Sequence, residues 1–307
     1  MTNNPSKAKS SNEQSVDPGS AIEFYNRGVM FSNGDGVVRD FKEAIKWFRR
    51  AADLGNARGA FNIGVSFAKG EGVERSEAES AKWFLKAADL GEPTAMYNLG
   101  VYFENGRGVP KNKEEAVRWY RKAAGLGLAA AMFNLGICYT NGTGVKKNCT
   151  TAVKWFRKAA DLGYVEAMLA LVIFYKTGDG VQKDEAEAGR WLQKAAARGN
   201  ADAMFRLAQC HASGEYGLPK DEAKAIKLCR KAAHLGDAVA QKNLAVCFAK
   251  GQGVPQDDAE ALMWFILAGA TDEFSTTIQR QIRNRLTPAK IAEAKRRAKA
   301  HSKKTGH

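Results

Sequence analysis

The chain has 307 residues, is 45% hydrophobic and 26% charged, and carries a net charge of +14. No apolar run approaches the roughly 18 residues needed to span a bilayer, which excludes a helical membrane protein. Five cysteines (Cys138, Cys149, Cys210, Cys229, Cys247), odd in number and without a C-x-x-C spacing, exclude a disulfide framework and a zinc site. They point to a reducing compartment, read as the cytoplasm.

Residues 1–20 are polar, rich in Ser and Asn, and lack an apolar stretch that could act as a secretory signal. They read as a disordered leader. Residues 21–270 are periodic. Trp47, Trp83, Trp119, Trp155 and Trp191 recur every 36 residues, Leu228 takes the place one residue late, and Trp264 follows 36 further on. A Gly-x-Gly pair precedes each, from Gly34/Gly36 to Gly251/Gly253, stretched to Gly214 and Gly217 in the sixth unit. A fixed period of this length marks a solenoid.

Each unit reads as two helices. In the third, 92–104 places Ala95, Met96, Leu99 and Phe103 on one face. Asn105 to Gly108 breaks the helix, and 114–126 forms the second, burying Ala116, Trp119, Tyr120, Ala123 and Ala124. Gly127 closes it as a left-handed residue. Gly28, Gly64, Gly100 and Gly136 sit mid-helix at a cost of about 1 kcal/mol each. With Ala44, Ala116 and Ala152 on the second helices, they predict close approach of the two backbones. Val172, Ala208 and Ala245 take the glycine's place later and predict looser packing there. One helix pair leaves an apolar face bare, so neighbours must stack.

The last 37 residues, 271–307, read as a cap helix and basic tail. Thr287 as N-cap and Pro288 at N1 start the helix. From Gln279 to His307 there are ten Lys/Arg and one acid (Glu293), nine of the fourteen net positive charges.

The strings A-M-[FY]-N-L-G at 95–100 and 131–136, G-x-G-V, and W-[FY]-x-K-A-A at 83–88, 119–124 and 155–160 resemble the Sel-one-like repeat (SLR, or Sel1-like) family. That family is a branch of the tetratricopeptide-like helical solenoids, and the resemblance covers about residues 21–270. It implies an all-α fold: a right-handed α/α superhelical solenoid of seven helix-turn-helix repeats of about 36 residues, with a long concave groove. Leu286 to Ala294 resembles a helix that follows such arrays in bacterial proteins. The function implied is a non-enzymatic scaffold or adaptor binding other proteins or peptides. One secreted branch is stapled by disulfides and includes β-lactamase-like members. Its cysteine positions here hold Ala88 with Met96, Ala124 with Met132, and Ala160 with Met168, so the staple is absent and a lactam hydrolase is the weakest alternative.

Two sets of residues are candidates for binding. In the tetratricopeptide relatives the first helices line the concave face, and an Asn there can hydrogen-bond an extended peptide. The equivalent pairs here are Tyr25–Asn26, Phe61–Asn62, Tyr97–Asn98, Phe133–Asn134 and Phe205–Arg206, with Leu169–Ala170 interrupting the series and Lys242–Asn243 ending it. A primary amide offers a donor and an acceptor to a main chain. Equally, the amides may be read as bonding a neighbouring repeat and the rings as packing between helices. Arg58, Glu104, Thr140 and Lys176 are expected to vary the chemistry along the groove. The second set is Lys295, Arg296, Arg297 and Lys299, read either as a solubilising cap or as a dock for nucleic acid or an anionic membrane. In a eukaryote this run would also resemble a nuclear import signal.

For catalysis there is little. His211 takes a slot held elsewhere by Phe67, Phe103, Tyr139 and Tyr175 and reads as a packing residue. His234 falls at a helix end, where a cation is favoured. His301 and His307 lie in the basic tail. The Gly-x-Gly pairs follow no strand and precede no Gly-Lys-Ser/Thr, so they read as turns. No catalytic residue, cofactor or metal is expected.

Overall fold

Asp40, Ser76, Asn112, Asn148, Asp184, Asp221 and Asp257 each accept a hydrogen bond from a backbone N–H at the start of the helix that follows. These side chains satisfy donors that a helix leaves orphaned at its first turn. They recur with the repeat and set the start of every second helix. The computed structural model describes residues 18–305, with side chains from Ser20 to Lys303. The expected leader up to Asp17, and His307, lie outside the described residues.

The helices are paired: α1 (Pro18–Asn33) with α2 (Phe41–Asp53), α3 (Ala57–Lys69) with α4 (Glu77–Asp89), and α5 (Pro93–Asn105) with α6 (Lys113–Gly125). Then follow α7 (Ala129–Asn141) with α8 (Cys149–Asp161), and α9 (Val165–Thr177) with α10 (Glu185–Ala197). The last pairs are α11 (Ala201–Ser213) with α12 (Glu222–His234), and α13 (Ala238–Lys250) with α14 (Asp258–Leu267). Two more helices close the chain, α15 (Glu273–Arg285) and α16 (Pro288–Thr305). Among the described residues there is no strand, and no helix is long and apolar enough to cross a membrane.

Two compact units result. The first runs to Ala131 and includes Thr143–Val145; the second comprises Met132–Gly142 and everything from Lys146 onward. Within the first, each helix from α1 to α6 packs on the next. Within the second the same holds from α8 to α14, and α15 and α16 both pack on α14.

The Gly-x-Gly loops do more than turn. The first glycine is a left-handed C-cap, as at Gly106 with φ 74°. The second lies against the first turn of the preceding unit's second helix. A Cβ on Gly108 would fall 2.2 Å from the Glu77 carbonyl oxygen, and one on Gly144 2.2 Å from that of Lys113. Any side chain there would push neighbouring units apart.

The mid-helix glycines make a different contact from the one expected. A Cβ on Gly28, Gly64, Gly100 or Gly136 would lie 2.5, 2.7, 2.4 and 2.4 Å from a ring carbon of Phe48, Phe84, Tyr120 and Phe156. The space is filled by an aromatic ring, not by the approach of two backbones over alanines. In the later units the helices of a pair contact each other less closely, as expected, but their equivalent positions stay buried. Val172 and Leu192, Ala208 and Cys229, and Ala245 and Phe265 occupy the equivalent positions, and all are buried. In two of these pairs a smaller side chain takes the place of the ring where the glycine has become larger.

In the sixth unit the extra residue is absorbed by a loop in which Tyr216 has φ 56°. His211, 1% exposed, anchors that loop: its ring N–H, at Nδ1, donates to the Pro219 carbonyl at 3.1 Å.

Candidate functional site

On each first helix the aromatic residue before the asparagine turns toward the second helix. Ring centroids lie 5.9 Å apart for Tyr25–Phe48, 5.5 Å for Phe61–Phe84, 5.9 Å for Tyr97–Tyr120 and 5.6 Å for Phe133–Phe156. Such pairs contribute about 0.5–1.5 kcal/mol beyond area burial. The four rings remain half-buried, whereas Phe205, at 7% exposure, is fully in the core.

The asparagines behave otherwise. Asn26 is exposed and Asn62, Asn98 and Asn134 are half-buried. None of the four amides is hydrogen-bonded to another described residue. Asn243, the last amide of the series, departs from this: its Nδ2 donates to the Val239 carbonyl at 2.8 Å, as Asn105 Nδ2, outside the series, does to that of Val101. The four earlier amides therefore have capacity left to bond a partner. Further along, Arg206 is exposed but paired with Asp202 at 2.9 Å. Glu104 and Thr140 are also used internally: Tyr120 donates to Glu104 at 2.7 Å, and Thr140 to the Gly136 carbonyl at 2.9 Å. Arg58 pairs with Glu92 at 4.0 Å, and the Lys176 ammonium lies over the Tyr216 ring.

Between α1 and α3 in the first unit lies a cavity of about 310 Å³ whose lining includes Tyr25, Val29, Asn33, Asn62, Val65 and Lys69. It brings Tyr25 and Asn62, from consecutive repeats, to one surface. Val29 and Val65 lie three residues after Asn26 and Asn62, one turn along the same helix face. Val101 and Ile137 hold the equivalent positions on α5 and α7 and are likewise half-buried.

On the second helices the lysine of the K-A-A string covers the tryptophan three residues before it. Lys122 lies 3.9 Å from the Trp119 centroid, Lys158 4.6 Å from Trp155, and Lys194 3.9 Å from Trp191. That motif is therefore a cation–π staple and a packing pair of alanines.

The basic residues at the C-terminus separate into two groups. Arg297 is ion-paired with Glu260 of α14. Lys295, Arg296 and Lys299 are exposed, with no ion pair among the described residues. α16 buries Ala294 and Ala298, and α15 buries Ile282, in one core with Leu262, Trp264 and Phe265. α15 itself was not anticipated. Arg285 makes a two-point contact with Asp258 at 2.7 Å and 2.7 Å, and its guanidinium holds that carboxyl below its ordinary range. Asp272, the N-cap of α15, is held low by Lys242 and Ser275.

His234 corrects the expectation of a helix-end cation: burial, then His301 and Arg230, lower its pKa and favour the neutral ring. All five cysteines are free. Burial raises Cys210 to about 11 and Cys229 to about 12, which keeps both thiols protonated and inert. Among the described residues no group of three or more His, Cys, Asp or Glu is arranged to hold a metal ion.

Paired helices stacked at a fixed period, with glycine turns and aromatic-on-glycine packing, define an all-α repeat solenoid. The chain belongs to the Sel1 repeat family, whose model matches residues 16–56, 57–92, 93–128, 129–164, 165–200, 201–237 and 238–270. Two solved structures are similar over most of their length. One is c5321, a protective antigen of uropathogenic Escherichia coli with an SLR fold: 27% identity, TM-score 0.75, 94% of this chain and 70% of that one. The other is a Sel1 repeat protein from Oxalobacter formigenes: 32% identity, TM-score 0.74, 85% of this chain and 76% of that one. No curated protein matches the chain significantly. Sel1-repeat proteins generally act as protein-interaction scaffolds and are typically non-enzymatic.

Proposed function

We propose that this chain is an adaptor that holds an extended segment of a partner protein along its first helices. The observation that carries the reading is the contrast within each Tyr/Phe–Asn pair. The rings are tied to Phe48, Phe84, Tyr120 and Phe156, while in the first compact unit the amides of Asn62 and Asn98 reach the surface with no hydrogen bond to another described residue. An amide that reaches the surface keeps a donor and an acceptor free, and a ligand main chain can use both. The valines one turn on supply an apolar floor beside each amide. Specificity then comes from side chains of the partner entering depressions such as the one lined by Tyr25, Val29 and Asn62.

The test is selection of peptides from a displayed library on the wild-type chain, followed by their affinity for Asn62→Ala/Asn98→Ala. Two lost hydrogen bonds, each contributing about 0.5–1.5 kcal/mol, weaken binding about ten-fold or more. Unchanged affinity in a variant with wild-type circular dichroism would refute the reading.

A second reading rests on the exposed, unpaired Lys295, Arg296 and Lys299 of α16. On this reading the helix docks on a polyanion by counterion release.

A further inference from the structure

In the second compact unit, α12, α13, α14 and α16 line an open cleft of about 430 Å³ bounded by Arg230, His234, Glu260, Trp264, Arg297 and His301, with His234 partly exposed to solvent. Two imidazoles meet at its wall. His234 Nδ1 and His301 Nε2 are 3.0 Å apart, and the rings are nearly parallel, 22° between planes, with centroids at 5.2 Å. Both lie edge-on to Trp264, at 5.0 and 5.5 Å. His234 ends α12, whereas His301 lies near the end of α16, 67 residues later. This contact therefore ties the final helix back to the sixth repeat.

The chemistry of the pair sets when the tie can exist. A hydrogen bond between two imidazoles needs one N–H and one lone pair, so at least one ring must be neutral. A second proton would set two N–H groups against each other across 3.0 Å. The surroundings oppose that proton. Arg230 faces the pair from α12 and Arg297 from α16; Glu260 of α14 is the one carboxylate present and is already paired with Arg297. From α13 the lining residue is Phe248, which carries no charge.

From this geometry we infer that the His234–His301 pair is a proton-operated latch: it holds α16 on the last repeats at neutral pH and releases it when both rings are protonated. Release frees the basic helix, with Lys295, Arg296 and Lys299, and uncovers the part of the Trp264 surface beneath it. The direction is acid-induced opening. A histidine whose proton affinity is reduced by docking leaves the docked state undisturbed above its ordinary pKa of about 6.5, and weakens it as pH falls through and below that value.

The test is amide hydrogen exchange of the full chain, corrected for intrinsic rates, at pH 7.5 and 5.0. Segment 288–303 should lose protection by about three-fold or more over this interval, while α5 and α6 keep theirs. His301→Gln preserves a hydrogen bond to either protonation state of His234 and should abolish the change. A fall of equal size in that variant, or none in the wild type, would overturn the latch. Should the variant fail to fold, the ring-proton titration of the wild type decides alone. One histidine of the pair must titrate below 6.5, and two independent titrations at ordinary values would refute the coupling.

Discussion

Gly100 lies under the ring of Tyr120, so close that a Cβ at residue 100 would sit 2.4 Å from the ring's Cε1. This contact, repeated at Gly28, Gly64 and Gly136, sets how closely the two helices of a unit approach. Gly100→Ala gains about 1 kcal/mol of helix propensity but forces the ring aside, an overpacking cost of about 1–3 kcal/mol. The expected result in urea denaturation is net destabilisation by up to about 2 kcal/mol. Tyr120→Leu in the same chain should recover part of it, because Val172 and Leu192 already occupy this pair of positions in the fifth unit. An unshifted midpoint for Gly100→Ala would show that the contact has no energetic weight.

Ser80 and Tyr102 make a buried hydroxyl–hydroxyl hydrogen bond of 2.9 Å between α4 and α5. Tyr102→Phe strands the Ser80 hydroxyl and should cost about 1–3 kcal/mol. Adding Ser80→Ala removes the stranded group, and the double variant should be more stable than Tyr102→Phe alone. Additive losses in the double-mutant cycle would show that the two residues act independently.

The α14–α15 junction has its own pH window. The hydrogen bonds from Arg285 hold the Asp258 carboxyl below its ordinary value of 3.8. Their contribution is therefore fully present above about 3.8 and is lost as pH falls through the lowered value. Arg285→Ala should lower stability by about 1 kcal/mol at pH 7, with wild type and variant converging in thermal melts taken toward pH 2. A constant difference across that range would point to packing of the arginine stem instead.

The exposed cations of α16 predict a salt signature. If the helix docks on a duplex, replacing Lys295, Arg296 and Lys299 with Gln should weaken binding uniformly across sequences. The dependence of log K on log salt should also become shallower by about 2–3. Replacing the single residue Arg297 should instead loosen α16, through loss of the ion pair with Glu260.

Much of this was legible in the sequence. The tryptophan period and the glycine pairs located every unit. What a glycine made room for was not legible: periodicity shows that Gly100 and Tyr120 lie on facing helices, but not that one ring fills the other's missing side chain. The pairs such as Tyr97–Asn98 were legible as candidates, yet their division of labour depends on the rotation of each helix about its axis, which adjacent residues share. α15 escaped notice because its apolar signal is thin: Ile282 is buried, while Phe274 is 52% exposed. The meeting of His234 with His301 depends on how α16 folds back, and no local pattern encodes that.

The most direct test of the adaptor reading is to follow the side-chain amide resonances of the wild-type chain as a selected peptide is added. Asn62 and Asn98 should shift in step with binding, while Asn105 and Asn243, already bonded to Val101 and Val239, stay in place. A peptide that saturates the chain and leaves Asn62 and Asn98 unmoved would contradict the claim that these amides receive the partner.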